Sequence, residues 1–467
     1  VLFPDFCYYM CNSVINISLF NCFILCIWNG IKFVEKGGHN MFIDFPEIHT
    51  PIQGMDLVPI PNMVTIRQSY DPTKIEDIKG HMQKELEKVE NKESYKGKRI
   101  CLTAGSRGIP DLDLMLRTIC DTLKSWGEDP FIIPSMGSHG GATAEGQLEM
   151  LAGYNITEET MGVPILSSME VIQYGELNGI PLYCDKYAYE SDGIVIFNKV
   201  KPHTDFRGPH ESGLAKMIAI GIAKHKGASM FHSFGFHRFT ELIPPVAEIF
   251  LNKCPFAFGV GVVQNAYDDI CNIEVCNRDN FMDVDARLLK IAKEKMAKFK
   301  FDDIDVLIID EIGKNISGNG HDPNVTGRNI THTFGDTLNL KKLFIRGITP
   351  EAHHNGCGLG SADVTTRRCL NSVDWEVTWT NVLTTGLMDA CPIPLYVNTD
   401  KEAVLMCIRC CHNLDYSKAR VVHIKNTLCL DEIQVSEPLY EAIKDIDGIS
   451  YVDGPKPMYF DENGMMD

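Results

Sequence analysis

Along most of the chain, short apolar runs give way to glycine-rich or polar loops and then to apolar residues at helical spacing. In "KRICLTAGSRGIPDLDLMLRTICDTLKSWG" residues 99–103 read as a strand and "AGSRG" as a loop. Leu112, Met115, Leu116, Ile119 and Leu123 then fall on one helical face. Pro110 suits the first helical turn, where its missing N–H does little harm, and Gly127 can end the helix. "PFIIPSMGSHGGATAEGQLEMLAGY" repeats the plan, with a strand at 131–133, the loop "SMGSHGG", N-cap Thr143 and stop Gly153. Three more strands follow in "DGIVIFNKVKPH", "FAFGVGVVQNAYDD" and "IDVLIIDEIGKNISGNG".

Strands this apolar, several of them β-branched, fit parallel sheets buried on both faces. The pattern therefore predicts an α/β fold. It predicts two domains, an N-terminal parallel-sheet domain of strand-loop-helix units over 41–275 and a second α/β domain over 276–467, with the active site between them. A charged amphipathic helix over 280–300 is expected to connect them, and the final "FDENGMMD" reads as a loose end.

The first forty residues depart from this pattern. They are rich in Cys, Phe, Ile and Asn, and their apolar run, 22–28, has no basic segment before it and is too short to span a bilayer. "EKGGHNM" back-translates into a purine-rich ribosome-binding site followed by a start codon. The expectation is that residues 1–40 are translated leader outside the fold and that the natural chain begins at Met41. Without that segment no export or membrane signal remains, so a cytoplasmic protein is expected.

Charge narrows the function. The chain has 44 basic and 62 acidic residues, a formal net charge of −18, which argues against a nucleic-acid surface. Its 17 cysteines are mostly scattered and read as reduced, buried thiols. Cys407, Cys410 and His412 of "CIRCCH" could face zinc, but no second CxxC accompanies them. A GxGxxG after a strand, a GxSxG elbow, a Walker A loop and HExxH are all absent.

Parallel α/β sheets bind ligands at the carboxyl ends of their strands. The loops at those ends hold Arg107, His139, His203 and Lys314. His139 sits in "GSHGG", where glycines permit positive φ and close approach of a ligand to the backbone; the alternative is a tight turn that happens to carry a histidine. In "HESGLAKMIAIGIAKHKGASMFH" a helix is expected from N-cap Ser212 to a stop at Gly227. Lys224, His225 and Lys226 would then suit the dipole of its last turn. Lys216 is placed differently, near the helix start among small residues. It is a candidate nucleophile or covalent anchor, the alternative being an ordinary solvated lysine. His232 and His237 lie among aromatic residues, as packed core or surface-turn histidines do; a partner elsewhere would be needed to make either a metal ligand.

Taken in order and spacing, "AGSRG", "GSHGG", "KPH" with "SGLAK" after it, "MFH" and "DEIGKNISG" resemble the nickel-pincer-nucleotide lactate racemase family, from about Met41 to near the end. The resemblance implies an isomerase, a racemase or epimerase of a 2-hydroxy acid. Its cofactor would be nickel held by pyridinium-3,5-bisthiocarboxylic acid mononucleotide, attached to Lys216 as a thioamide. His232 would be the metal ligand, and His139 and His203 the acid and base on opposite faces of the substrate. Arg107, Gly140 and Gly141 would contact the cofactor, and Arg107, Lys314 and His210 the substrate. The domain over 41–275 would anchor the cofactor and the domain over 276–467 would close on the substrate. The family's glycine-rich run before the anchoring lysine is here the longer, more polar "TDFRGPHESGLAK". His210 therefore rivals His203, and Arg207 and Glu211 could meet extra polar groups on a larger hydroxy acid or sugar acid. Cofactor-biosynthesis proteins are the implied partners, with neither nucleic acid nor membrane.

The α-hydrogen of a 2-hydroxy acid is very weakly acidic. Hydride transfer to a pyridinium ring is easier when a base takes the hydroxyl proton, a task that suits a neutral histidine. The keto acid can then rotate and take the hydride back on its other face. Two other functions compete with this one: a nicotinamide-dependent 2-hydroxy acid dehydrogenase, and a non-catalytic protein that binds the nickel cofactor.

Overall fold

The computed structural model describes residues 40–49, 53–106, 108–334 and 337–466, without the side chains of 384 and 385. The expected leader and Arg107 therefore lie outside the described residues, apart from Asn40. The strands run in chain order as β1 (Asn62–Gln68), β2 (Arg99–Ala104), β3 (Asp129–Pro134), β4 (Val171–Leu177), β5 (Ile180–Asp185), β6 (Gly193–Lys199), β7 (Phe256–Gln264) and β8 (Ile270–Cys276). They continue as β9 (Asp303–Ile309), β10 (Asn339–Ile345), β11 (Val364–Thr366), β12 (Leu395–Val397), β13 (Val421–Ile424), β14 (Glu432–Ser436) and β15 (Ile449–Pro457). The helices that matter for the site are α1 (Leu112–Ser125), α2 (Ala144–Ala152), α3 (Lys224–Ser233), α4 (Phe239–Lys253) and α5 (Phe281–Lys295).

Two sheets carry the α/β architecture. One has the order β3-β2-β6-β7-β8, parallel except for β8. The other has the order β12-β11-β10-β9-β13-β14-β1-β15; it is parallel from β12 to β13 and antiparallel beyond. β1 precedes the first sheet in sequence yet pairs with β14 and β15 in the second. Phe42–Asp467 form one compact unit.

The first sheet is buried on both faces, as its composition predicts. Ile100, Leu102 and Ala104 of β2 join Leu116, Ile119 and Leu123 of α1 in one core. Cys101 between them faces the other core, with Ile218, Phe250 of α4 and Leu288 of α5. Each such fully buried aliphatic or aromatic side chain contributes about 1.5–3 kcal/mol.

Several local expectations are corrected. Thr143 does cap α2, accepting the Gly146 N–H at 3.1 Å, and Gly153 ends it. Pro110, however, lies ahead of α1, which starts after Asp111 in a left-handed conformation (φ 56). The helix expected over 280–300 spans Phe281–Lys295, and its apolar face packs into the core of the first sheet. The C-terminal segment is not loose: Met466 donates its N–H to the buried Asp400 (3.0 Å) and accepts from Arg346 (2.6 Å). In "CIRCCH", Cys407 and Cys411 are buried and Cys410 is exposed, all as free thiols.

The largest correction concerns the helix expected from Ser212 to Gly227. It starts after Gly213, and the Leu214 N–H is capped by Asp285 of α5 (2.6 Å) instead of Ser212. It widens over Met217–Gly221, where the Ile222 N–H reaches back five residues to the Met217 carbonyl (2.9 Å). Wide turns of this kind often occur at functional sites. Lys224 then takes a positive φ (53°), and α3 resumes with Gly227 inside it. Lys224 is fully buried, so it does not belong to a solvated last turn.

Candidate functional site

The carboxyl ends of β3 and β6 and the widened helix converge on one region. Lys201 and Ser212 exchange backbone hydrogen bonds (2.8 and 3.2 Å) and close the base of the loop 202–211. Inside it, Glu211 is 1% exposed and acts as a hub. It accepts the His203 N–H (2.8 Å), the Gly208 N–H (3.2 Å) and Lys293 Nζ (2.6 Å). Arg207 donates to the His203 carbonyl (2.6 Å) and to Asn324 (2.5 Å), and its guanidinium lies 3.6 Å from the centroid of the Phe334 ring. These groups hold the loop together. Arg207 and Glu211, expected to meet a larger substrate, are engaged here by protein groups.

His210 and His203 separate clearly. His210 is buried, with Nδ1 2.9 Å from Asp285 Oδ2, on the same carboxylate that caps Leu214. It ties the loop to α5. His203 is also buried, but it stacks on Phe206 (4.4 Å) and Phe236 (5.8 Å), and its Nδ1 accepts the Asp205 N–H at 3.0 Å. Burial pushes His203 well below 6.5, and the charges of Lys216, Lys201 and Arg207 push the same way. The ring is neutral at pH 7, and with Nδ1 accepting, its proton sits on Nε2.

Lys216 is half-buried. Its charge acts on His203, His232 and Asp205, and the rings of His203 and His232 both pack on Phe236 (5.8 and 5.3 Å). Asp205 is 5% exposed. Burial raises its carboxyl, against hydrogen bonds from Asn319 (2.7 Å) and Thr204 (2.6 Å) and the charges of Lys216 and Lys314. Its carbonyl accepts from Thr331 (2.8 Å) and from Thr333. Lys314 and Asn319 come from the loop after β9, so both halves of the chain meet at Asp205.

His232 lies on α3 with its ring against Phe236 (5.3 Å) and Phe239 (5.5 Å). Burial and Lys216 push it down to about 4, and its buried Nδ1 has no hydrogen-bond partner. A buried imidazole nitrogen without a partner is costly unless something binds it. Among the described residues no group of three or more His, Cys, Asp or Glu could hold an ion unaided. A metal at His232 would draw its other ligands from a bound organic group. His237 is exposed in the turn that follows.

His139 is exposed in the loop after β3. Gly137 (φ 59°) links that loop to the Lys216 helix, donating its N–H to the Gly221 carbonyl at 3.0 Å. Gly140 (φ 64°) is demanded by the chain's own packing, since a Cβ there would meet the Gly146–Gln147 backbone at 2.6 Å. Gly141 faces open space.

Sequence reasoning missed Asp205, Asp285, Lys224 and His321. The last is 1% exposed, between Ser361 (2.5 Å from Nε2) and Thr326 (3.1 Å from Nδ1). Burial and then Arg328 push it down to about 4. The unfolded chain therefore takes up this proton first as pH falls. The stabilising contribution is present above pH 6.5 and is lost towards pH 4, with a ceiling of about 3 kcal/mol. Urea unfolding should show the stability gap between wild type and His321→Gln shrinking from pH 7 to 4; a gap constant with pH would contradict the assignment.

No protein-family model matches the chain, and no curated protein matches it. Among solved structures, the chain is similar to lactate racemase apoprotein from Thermoanaerobacterium thermosaccharolyticum, with 13% identity, TM-score 0.45, and coverage of 84% of this chain and 99% of that one. It is also similar to a Thermotoga maritima protein solved by structural genomics, with 15% identity, TM-score 0.45, and coverage of 60% and 71%. Among the described residues no helix is long and apolar enough to cross a membrane.

Proposed function

We propose that this protein is a racemase or epimerase of a 2-hydroxy acid, working with a nickel pincer nucleotide anchored on Lys216. The observation that supports the reading is that His203 and His232 both pack on Phe236, within reach of the Lys216 charge, with His232 presenting a buried nitrogen that lacks a partner. Lys216 would hold the organic group and His232 its metal. Once bound, that group would supply a reversible acceptor for the substrate's α-hydrogen.

The protein's own residues supply the proton chemistry and the orientation. His139, exposed at the mouth of its loop, would take the hydroxyl proton on one face. His203 would give the proton on its Nε2 to the keto oxygen on the other face as its Nδ1 takes one up from the Asp205 carboxyl, 3.5 Å away, so that the ring stays neutral. Lys314 would meet the carboxylate as a point charge. The apolar stack of Phe206 and Phe236 keeps water from the His203 ring.

The test uses protein co-expressed with cofactor-making enzymes. Intact mass should show an increment above the sequence mass in wild type and none in Lys216→Ala, with nickel lost in parallel. Equal increments in both would refute attachment there. A screen of chiral 2-hydroxy acids and sugar acids for loss of optical purity tests the reaction itself.

A further inference from the structure

We infer that Gln147, held in one orientation by the buried Lys224, is the positioning residue for the loop that carries His139. Lys224 is 0% exposed, and its ammonium has three donors with three acceptors around it. Two of them accept hydrogen bonds, the Pro134 carbonyl at the end of β3 (2.6 Å) and Gln147 Oε1 (3.1 Å), and the third, Asp185 Oδ2, lies 3.2 Å away as an ion pair. Asp185 is itself fixed, accepting the Ala188 N–H at 3.1 Å.

A carboxamide has one oxygen that accepts and one nitrogen that donates. With Oε1 on the Lys224 ammonium, the Gln147 nitrogen has to face the loop. It does so at two points, the Gly137 carbonyl (3.0 Å) and the His139 carbonyl (3.3 Å). Gln147 is 0% exposed, so water does not compete for either bond. Reversing the amide would set an N–H against the ammonium and an oxygen against two carbonyls. Lys224 therefore decides which way Gln147 points, and Gln147 decides where Gly137 and His139 lie. The consequence for catalysis rests on the role proposed above for His139; the geometry does not.

Gln147→Glu separates this role from simple packing. The carboxylate still satisfies Lys224 but has no hydrogen to give the two carbonyls. Hydrogen exchange followed by mass spectrometry should show amides of 136–143 exchanging about tenfold faster or more, with β3 and α3 unchanged. Unchanged exchange in the loop would overturn the inference. So would an equal rise throughout the protein, which marks a residue that only packs. If that variant does not fold, Gln147→Asn, one methylene too short to bridge, is read by the same outcomes. Wild-type protein that racemises no substrate would defeat the functional reading, while the exchange result would still decide this one.

Discussion

Lys224→Met should lower the free energy of unfolding by about 3–5 kcal/mol in urea titrations, because it breaks a buried ion pair from one side. Both Lys224 and Asp185 are 0% exposed. Burial lowers the lysine and raises the aspartate, each opposed by the other's charge. Removing the ammonium leaves a carboxylate in an apolar core beside Cys101 and Cys184, whose own thiols burial holds up. It also leaves the Pro134 carbonyl and Gln147 Oε1 without their donor. The pair is not thereby a large net source of stability, since two hydrated charges were desolvated to form it. Adding Asp185→Asn should therefore restore at least about half of the loss, because the stranded charge disappears. The neutral amide keeps an oxygen for the Ala188 N–H. A single variant costing under about 1 kcal/mol, the usual worth of an exposed pair, would show that this pair is not desolvated.

The sequence exposed the scaffold well and the wiring poorly. Alternation of strand, loop and helix was visible because both faces of the first sheet are buried and its strands are therefore continuously apolar. Thr143 and Gly153 were legible as caps because capping is local chemistry. Asp285 had a signal that is easy to overlook. It lies on the same helical face as Phe281, Val284, Leu288, Leu289 and Ala292, where an acid needs a buried partner. Lys224 had the same signal, sharing the buried face of α3 with Gly227, Ala228 and Phe231. It was hidden because Gly227 read as a stop. Gly227 instead packs closely, as a Cβ there would meet Ala223 at 2.4 Å. Just before the break at 222–224, a Cβ on Gly221 would meet Met217 at 2.3 Å and the Ser135 carbonyl at 2.8 Å, the second a contact distant in sequence. Nor could the sequence tell the surroundings of His203 and His210 apart, since they differ by Asp205 reaching one ring and Asp285 the other.

His203→Gln in loaded enzyme should lower kcat by about 10²–10⁴-fold, the usual worth of a general acid or base, with KM changed little. The split follows from what each side chain can do in this loop. The His203 ring is fixed by the Asp205 N–H on Nδ1 (3.0 Å) and by Phe206 at 4.4 Å, so its Nε2–H points one way. Glutamine can also donate a hydrogen bond from its terminal nitrogen, so substrate binding survives. It cannot release that proton and take it back, so turnover does not. The mass increment at Lys216 should be the same as in wild type, because His203 does not make that bond. A variant with unchanged kcat would remove His203 from the chemistry. One with raised KM and unchanged kcat would make it a binding group alone. His210→Gln supplies the contrast. Its partner Asp285 also caps Leu214, so its loss should appear in urea unfolding more than in kcat. If His210→Gln instead lost turnover while keeping its stability, the assignment of the two histidines would have to be exchanged.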